Sequence, residues 1–468
     1  MSGADAGPVG PHRPRARSCS PRRIVRLIAP NELSTKAHPP KRLLLLISKL
    51  GYQARAFADA ARRLGAEVVF GTDRCHQLED PWRDSALALH FERAEDSAAE
   101  IVRATAGAPV HAILALGDRP MAAAARASRS LGLPYNSPES VDAARNKLRQ
   151  RETLSAARVQ VPQFFSFALT DDIEQILPNV PFPCVVKPLM LSMSQGVVRA
   201  NDPAEFRAAV ARIRSLIQSP EIQVTREEGL DRLLVESYLP GPEVALEGLL
   251  EDGRLRTLAI FDKPDPLEGP YFEETIYVTP SRLAPRAQEA IEDCARGAIK
   301  ALGLTRGPIH AEFRVNARGA WVLEVQPRPI GGLCARALRF GAESIPLEEL
   351  FVRHALGMET RSLDRDPDAS GVMMIPVPSS GVFEGVAGLE AAALVAHVES
   401  VEITARLHDY IAAWPEGSSY LGFIFARAPE PAAVEAALRA AHACLRFDLR
   451  PRLPVEHPAS HRMPAQQI

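Results

Sequence analysis

The sequence predicts an α/β protein, because short apolar runs alternate with segments of helical periodicity along most of the chain. The first run, Leu43–Ile47, is far too short to cross a membrane and is typical of a buried parallel strand. Aromatic residues make up only 6% of the chain, so the core must consist mainly of aliphatic side chains. Alternation of this kind predicts a doubly wound parallel sheet over residues 41–140. Its strands are expected at 42–48, 67–72 and 112–116 and its helices at 54–64 and 96–105.

The remainder of the chain repeats the alternation in two further parts. Strands at 181–188 and 233–239 flank a helix at 204–218. After residue 357 strands and helices alternate again and end with a helix at 431–444. We predict that residues 357–452 form a third, capping domain.

The two ends of the chain lack periodicity. Residues 1–40 are rich in Pro, Arg, Ser and Ala, which predicts a disordered tail, with a transit peptide as the alternative. Residues 453–468, rich in Pro and His, are expected to be frayed.

Composition excludes several classes of function. A chain of 468 residues suggests about three domains of ~150 residues each. The formal net charge of −2 argues against nucleic acid or an anionic membrane as the main partner. No run of about 18 apolar residues occurs. The six cysteines include no CxxC pair, which argues against a zinc site or disulfides and predicts a reducing, cytoplasmic location.

Two acidic residues, Glu312 and Glu324, lie on successive strand-like runs, Gly307–Glu312 and Val322–Arg328. Period-two spacing puts Glu324, Gln326 and Arg328 on one face of a strand. Carboxylate and amide oxygens suit Mg²⁺, and a planar guanidinium suits phosphate. Alternating polar residues are also common on solvated strands. This run ends in Pro and Gly-Gly rather than a hairpin turn, which favours a functional site.

Side chains suited to phosphate precede this acidic pair. Lys147 stands at the start of a helical run, and Lys187 ends an apolar strand before a proline. Exposed lysines are common, so either lysine alone is weak evidence for a phosphate site. The apolar strand that ends at Lys187 makes the case for that residue stronger. The loop at 192–197 offers hydroxyls and a glycine, a composition that can bind phosphate but also occurs in ordinary turns.

A hinge after the strand at 233–239 carries further candidates. Glu236, Leu239 and Glu243 are spaced so that backbone groups could pair with a purine and a carboxylate with ribose hydroxyls. Two ordinary glutamates at a strand end are an equally good explanation. Gly117-Asp118 follows a predicted parallel strand, where such sheets bind ligands, and the absence of G-x-G-x-x-G after the first strand argues against a dinucleotide site.

Together these motifs resemble the ATP-grasp superfamily, and within it the carboxylate–amine ligases of the L-amino-acid (dipeptide) ligase kind. The resemblance covers roughly residues 41–450 and implies an ATP-grasp domain at 141–356 with a lid subdomain at about 150–232. An N-terminal doubly wound parallel-sheet domain and a C-terminal α+β capping domain would flank it. The motifs are Arg145-Asn146-Lys147, Val185–Pro188, Val235–Glu243, Phe261–Lys263, His310–Glu312 and Glu324–Arg328.

The resemblance implies roles for individual residues. The residues expected around ATP are Lys147, Lys187 and Lys263 at the phosphates, Ser192, Ser194 and Gly196 in the covering loop, Glu236 and the Leu239 backbone at adenine, and Glu243 at ribose. The metal ligands for two Mg²⁺ ions, with Mn²⁺ as an alternative, would be Glu312, Glu324 and Gln326. Lys187 and Arg328 would be catalytic, and the substrates would meet Glu274, Tyr277, His310 and Arg328.

Three positions depart from the family pattern. Gln326 replaces a common Asn, which could alter metal geometry. Leu191 stands where the loop often has glycine, which removes backbone freedom. Tyr277 stands where dipeptide ligases often have a histidine near the amino-acid substrate. The resemblance therefore does not identify the substrates.

The resemblance implies ATP-dependent amide formation between amino acids, through an acyl phosphate with release of ADP and phosphate. Small-molecule acids and amines would be the partners, and a homodimer is expected. The alternatives are a biotin-carboxylase-like or purine-pathway ligase, or an ATP-binding protein without turnover.

Overall fold

The computed structural model describes residues 40–48, 51–73, 86–360 and 362–451. The predicted tail at 453–468, and all of the predicted tail at 1–40 except Pro40, lie outside these residues. Of the six cysteines, Cys184, Cys294, Cys334 and Cys444 are described, and all four are free thiols. No helix in the described part of the chain has the length and hydrophobicity needed to cross a membrane.

The predicted N-terminal sheet is confirmed. Four parallel strands follow the order β3-β2-β1-β4. Alternate leucines of the first strand face opposite sides: Leu43 and Leu45 pack with helix α1, and Leu44 and Leu46 pack on the side of helices α2 and α3. Burial on both faces explains the continuous apolar run. The elements are β1 (Arg42–Ile47), α1 (Tyr52–Arg63), β2 (Glu67–Thr72), β3 (Ala86–Ala88), α2 (Ala94–Thr105), β4 (Ala112–Leu116) and α3 (Met121–Leu131).

Two capped helices, α4 (Pro138–Arg145) and α5 (Lys147–Ala156), follow this sheet. The Asn146 side-chain oxygen accepts hydrogen bonds from the backbone N–H groups of Leu148 and Arg149, at 3.0 and 3.1 Å. Asn146 is therefore the N-cap of α5. This cap fixes Lys147 in the first turn of the helix.

A second, antiparallel sheet has the order β5-β8-β6-β7. We call it the lid sheet, after the lid subdomain predicted at 150–232. Its helix α7 covers one face with Phe206, Val210 and Ile213, all fully buried. The elements are β5 (Phe164–Ala168), α6 (Ile173–Ile176), a 3₁₀ turn (Leu177–Asn179), β6 (Cys184–Pro188), β7 (Val198–Ala200), α7 (Pro203–Ile217), α8 (Pro220–Gln223) and β8 (Arg232–Ser237).

The remaining elements build the largest sheet and two small ones. The strands are β9 (Glu243–Glu251), β10 (Arg254–Asp262), β11 (Ile276–Thr279), β12 (Gly307–Asn316), β13 (Gly319–Gln326), β14 (Arg339–Phe340), β15 (Ile345–Pro346), β16 (Ala369–Ile375), β17 (Gly381–Ala387), β18 (Val398–Ile403), β19 (Tyr410–Ile411), β20 (Gly422–Ala428) and β21 (Arg446–Arg450). The helices are α9 (Pro285–Leu302), a 3₁₀ turn (Cys334–Ala337), α10 (Leu347–Ala355), α11 (Leu389–Ala393) and α12 (Pro431–Cys444).

The largest sheet has eight strands in the order β13-β12-β9-β10-β11-β16-β20-β18. Strands on both sides of residue 357 belong to it, because β16 pairs with β11 across four residues. The sheet is therefore continuous across the predicted boundary of the capping domain, and the domain limits themselves stay predictions. A separate sheet, β19-β17-β21, lies within the C-terminal part.

Gly241 lies in the turn that leads into β9, where the backbone passes close to β12. Its φ is +117°, and a Cβ there would lie 2.0 Å from the Val315 carbonyl oxygen. We predict that Gly241→Ala lowers the free energy of unfolding by about 2–5 kcal/mol, since it adds backbone strain and a clash. Gly253 also has a positive φ, +78°, but nothing lies within 4 Å of its Cβ position.

Guanidinium denaturation of both variants checks this prediction. Gly253→Ala should cost only about 1 kcal/mol, the penalty of a left-handed alanine. Equal losses in the two variants would contradict the close approach of the Gly241 turn to β12.

Candidate active site

Strand β12 places the two predicted acidic residues next to each other. It pairs antiparallel with β13, and Glu312 lies directly opposite Glu324, while His310 lies opposite Gln326. On its other side β12 pairs with β9, where Ala245 faces Glu312 and Glu247 faces His310. Side chains directly opposite each other share one face of a sheet. The predicted adjacency of the two acidic strands is therefore what the structure has.

Lys263, just after β10, lies among three glutamates. Its Nζ donates to Glu243 Oε1 at 2.8 Å, to Glu312 Oε1 at 3.0 Å and to Glu274 Oε1. One oxygen of each carboxylate lies within 4.8 Å of the others. Burial alone would lower the pKa of Lys263, but the three carboxylates outweigh it and hold the pKa well above its usual range. The ammonium is charged and neutralises part of the cluster.

Glu274 has a second partner in Tyr277. The Tyr277 hydroxyl donates to Glu274 Oε2 at 2.7 Å. Burial raises the pKa of Glu274 to about 7, with Lys263 opposing the rise and the neighbouring carboxylate of Glu312 adding to it. A tyrosine at this position thus supplies a hydrogen-bond donor to the acidic cluster.

His310 lies between two carboxylates. Its Nδ1 is 2.5 Å from Glu247 Oε1, and its Nε2 is 3.5 Å from Glu312 Oε1. Burial would lower the pKa of His310, but Glu247 and then Glu312 raise it to about 9. The other oxygen of Glu247 accepts from the Ile330 backbone N–H at 3.3 Å. Glu247 was not among the predicted residues. Its period-two spacing from Glu243 within an apolar strand is the signal that could have found it.

Strand β13 places further oxygen atoms that could bind a metal beside Glu312. Gln326 Nε2 donates to Glu324 Oε1 at 2.6 Å, and Lys147 Nζ lies 3.7 Å from that same oxygen. Gln326 Oε1 is buried and has no hydrogen-bond partner among the described residues. A buried carbonyl oxygen without a partner, next to two carboxylates, matches the hard oxygen ligands that Mg²⁺ prefers. The residues present therefore fit this metal.

Glu236 and Lys187 form a buried ion pair at the junction with the lid sheet. Lys187 Nζ lies 2.7 Å from Glu236 Oε2, and Arg151 Nε lies 2.6 Å from Glu236 Oε1. Burial would raise the pKa of Glu236, but Arg151 and Lys187 together lower it. Burial lowers the pKa of Lys187, partly opposed by Glu236. Arg151 also donates to the Leu323 carbonyl, which ties this pair to β13.

The predicted ribose and adenine residues border these groups. Glu243 Oε2 accepts from Arg314 Nε at 2.9 Å, so both of its oxygens are engaged. Leu239 is buried beyond the end of β8. The predicted adenine and ribose residues thus lie on β8, on the connection that follows it and at the start of β9, and their roles stay predictions.

The loop at 192–196 is hydrogen-bonded to residues 414–416, a segment for which the sequence predicted no role. Gly196 N–H donates to the Pro415 carbonyl at 3.2 Å, and Gln195 Nε2 donates to the Glu416 carbonyl at 2.7 Å. Trp414 Nε1 donates to the Met193 carbonyl at 3.3 Å. Lys147 Nζ donates to the Leu191 carbonyl at 2.7 Å, just before the loop. Ser192 and Ser194, predicted to cover phosphates, lie in this fastened loop.

Arg328 does not lie on the strand face predicted for it. Strand β13 ends at Gln326, so the period-two pattern does not extend to Arg328, which follows in a loop. Its Nε donates to Asp118, the residue predicted to stand at the ligand-binding end of the first sheet. Burial would lower the pKa of Arg328, but Asp118 outweighs it and holds the pKa above its usual range.

The parallel N-terminal sheet, the antiparallel lid sheet and the eight-stranded sheet with its acidic strand pair form an ATP-grasp fold. Residues 58–135 match the ATP-grasp N-terminal domain, and residues 180–337 match the ATP-grasp domain. Residues 373–450 match the L-amino acid ligase C-terminal domain 2. The chain therefore carries ATP-grasp domains together with a C-terminal domain of the L-amino acid ligase family.

Individual relatives agree with this assignment. The crystal structure of L-amino acid ligase from Bacillus licheniformis superposes with a TM-score of 0.74 at 26% identity, covering 88% of this chain and 99% of that one. The uncharacterized protein y4rH of Sinorhizobium fredii is 22% identical over 91% of this chain and 87% of its own. Alanine–anticapsin ligase of Bacillus amyloliquefaciens is 27% identical over 52% of this chain, and the match spans 53% of that ligase.

The buried Glu236 pair generates a stability prediction. Glu236→Gln should lower the free energy of unfolding by about 3–5 kcal/mol, because Arg151 would keep its charge without a buried counter-ion and Lys187 would lose the carboxylate that opposes the effect of burial on its pKa. Chemical denaturation measures the loss. Glu174→Gln is the matched control, since Glu174 pairs with Arg207 at 2.7 Å on the exposed face of the lid. Its unfolding midpoint should stay unchanged, and an equal midpoint for Glu236→Gln would contradict the role of the buried pair.

Proposed function

We propose that this protein is an ATP-dependent carboxylate–amine ligase that joins two amino acids through an acyl phosphate and releases ADP and phosphate. The observation that carries the proposal is the register of β12 and β13, which brings Glu312, Glu324 and the unpartnered oxygen of Gln326 together. The likeness to an L-amino acid ligase along 88% of the chain supports the substrate class.

Glu312, Glu324 and Gln326 would hold two Mg²⁺ ions, or Mn²⁺ in their place. When bound, the metal neutralises charge on the terminal phosphates of ATP and orients them for transfer. The longer side chain of Gln326 still offers a carbonyl oxygen at the third ligand position.

The nucleotide would lie between the lid sheet and β9. Lys147, Lys187 and Lys263 would face its phosphates, beneath the loop that contains Ser192, Ser194 and Gly196. The Glu236 carboxylate is already engaged by Arg151 and Lys187, which orients the lysine. Glu236 and the Leu239 backbone would hold adenine, and Glu243 would accept hydrogen bonds from ribose.

The reaction proceeds in two steps. A substrate carboxylate oxygen attacks the γ-phosphorus of ATP, the bond from this phosphorus to the bridging oxygen breaks, and ADP leaves. An amine then attacks the acyl carbon, loses a proton and expels phosphate. Lys187 and Arg328 stabilise negative charge on the transferred group, and loop closure excludes water from the acyl phosphate.

The substrates would meet Glu274, Tyr277, His310 and Arg328. A primary ammonium, that of Lys263, is already coordinated by Glu243, Glu274 and Glu312. This supports an amino group as a ligand of the same acidic cluster. Arg328 would contact the carboxylate. We further propose a cytoplasmic location, consistent with the free thiols, and a homodimer.

A substrate screen tests the proposal. Purified protein with Mg·ATP is incubated with pairs of amino acids, released phosphate is measured, and products are identified by mass. Amide products that depend on both amino acids support the proposal. ATP turnover with bicarbonate alone, or tight ATP binding without turnover with any pair, would overturn it in favour of another ATP-grasp reaction or a binding protein.

Glu324 is the most direct test of the metal site. Glu324→Ala should reduce ADP formation by at least about 10³-fold, on the scale of losing a key charge-stabilising group, while the circular dichroism spectrum stays unchanged. Glu289→Ala, on the exposed face of the neighbouring helix α9, is the control and should keep full activity. Undiminished ADP release from Glu324→Ala would refute the metal assignment.

Glu243 separates nucleotide binding from chemistry. Glu243→Gln should raise the KM for ATP roughly 10-fold or more and change kcat little, because a hydrogen bond to a charged acceptor contributes about 1.5–3 kcal/mol. Initial rates at varied ATP give both constants. Glu251→Gln, at the exposed end of the same strand, should behave as the parent protein. An ATP dependence that does not change would count against the ribose role.

A further inference from the structure

Six charged side chains, alternately acidic and basic, join the N-terminal sheet, the lid sheet and the loop after β13. They come from loops and helix ends in five separate parts of the chain, since Asp118 and Arg119 are adjacent. We call them the ion chain. In spatial order they are Asp73, Arg119, Glu227, Arg145, Asp118 and Arg328.

The first half of the ion chain anchors the lid sheet. Arg119 donates through Nε and Nη2 to Asp73 Oδ2, at 3.1 and 2.7 Å. Its Nη1 lies 2.5 Å from Glu227 Oε2, and its Nη2 also donates to the Thr225 carbonyl at 3.2 Å. Thr225 and Glu227 belong to the connection between α8 and β8 of the lid sheet. This connection is therefore bound to the loop after β4.

The second half reaches the predicted catalytic arginine. Glu227 Oε1 lies 2.7 Å from Arg145 Nη2, and Arg145 Nε donates to the Asp118 backbone carbonyl at 2.9 Å. The Asp118 carboxylate accepts from Arg328 Nε. Arg328 Nη1 donates to the Pro329 carbonyl at 3.0 Å. Among the described residues Nη2 of Arg328 makes no hydrogen bond, so Asp118 and the Pro329 carbonyl hold the guanidinium and leave this amino group for a substrate oxygen.

These ion pairs are largely buried, so the loss of one partner costs more free energy than in an exposed pair. The exposed fractions of the six side chains range from 5% for Asp73 to 21% for Arg119. Exposed ion pairs contribute little, but in a buried pair the loss of one partner leaves an uncompensated charge. A displaced Glu227 would leave both Arg119 and Arg145 without their shared counter-ion. The position of the lid connection and the geometry at Asp118 are therefore interdependent.

We propose that Asp118 is the positioning residue of Arg328, and that the ion chain transmits the position of the lid sheet, sensed at Glu227, to this guanidinium. The proposal rests on the proposed function for the role of Arg328. With the lid sheet in place, Arg145 holds the Asp118 backbone, and Asp118 fixes the plane of the guanidinium. Lid closure and orientation of the arginine would thus occur together.

Asp118→Asn tests the positioning role. The variant keeps the backbone carbonyl that Arg145 uses and removes only the charge opposite Arg328. We expect kcat to fall about 10²-fold, the scale of a misplaced reacting group, with the KM for ATP unchanged. Asp118→Glu should recover much of kcat. A purely structural role would lower stability but leave kcat per folded molecule unchanged, and an unchanged kcat, or an effect confined to the KM for ATP, would overturn the proposal.

Glu227→Gln tests the transmission without reference to catalysis. Hydrogen exchange should become about 10-fold faster at residues 117–120 and 328–331, because weakening of the chain favours local opening. Glu228→Gln is the matched control, an exposed neighbour with the same change of charge. Faster exchange confined to residues 224–230 would overturn the transmission.

The two experiments separate this inference from the proposed function. If no amino-acid pair yields ADP in the parent protein, the proposed function fails, and the exchange measurement still decides whether Glu227 and Arg328 are coupled. Glu227→Gln also leaves Asp118 in place. It therefore remains informative if Asp118→Asn does not fold.

Discussion

The register between β12 and its two neighbours is the constraint on which the site depends. Pairing with β13 sets Glu312 against Glu324 and His310 against Gln326, and pairing with β9 sets Glu247 against His310. A shift of one residue would turn every one of these side chains to the opposite face. That opposite face packs against α9 through apolar residues, so a shift would bury charge in the core. The hydrophobic core thus fixes the register, and the register fixes the acidic site.

Charge balance is the second requirement of this site. Lys263 offsets Glu243, Glu274 and Glu312, while Arg151 and Lys187 offset Glu236. Leaving such groups uncompensated in a buried setting would cost several kcal/mol each, on the order of the penalty for an unpaired buried ion. The cations that a nucleotide would need are therefore held in position by the protein's own acids. Such preorganised charge requires little rearrangement when phosphate arrives.

Local patterns predicted the elements and the acidic pair, and long-range contacts account for what they missed. The apolar run of β1 identifies a strand buried on both faces, and period two places Glu324 beside Gln326. Nothing local indicates that Glu236 will meet Arg151, 85 residues earlier in the chain. The end of β13 at Gln326 also depends on its pairing with β12, so the face of Arg328 could not be read from spacing. Its partner Asp118 was identifiable only as a residue at a strand end.

The conformation of the loop at 192–196 could not be predicted from its own sequence either. Met193 and Ser194 have φ values of 58° and 53°, in the left-handed region that costs a non-glycine residue about 1–3 kcal/mol. The neighbouring Leu191 gives the loop none of the backbone freedom of a glycine. Three hydrogen bonds with the segment 414–416 offset this strain, and Arg212 anchors that segment by binding both oxygens of Glu416. The shape of this loop is therefore determined in part by residues more than 200 positions away.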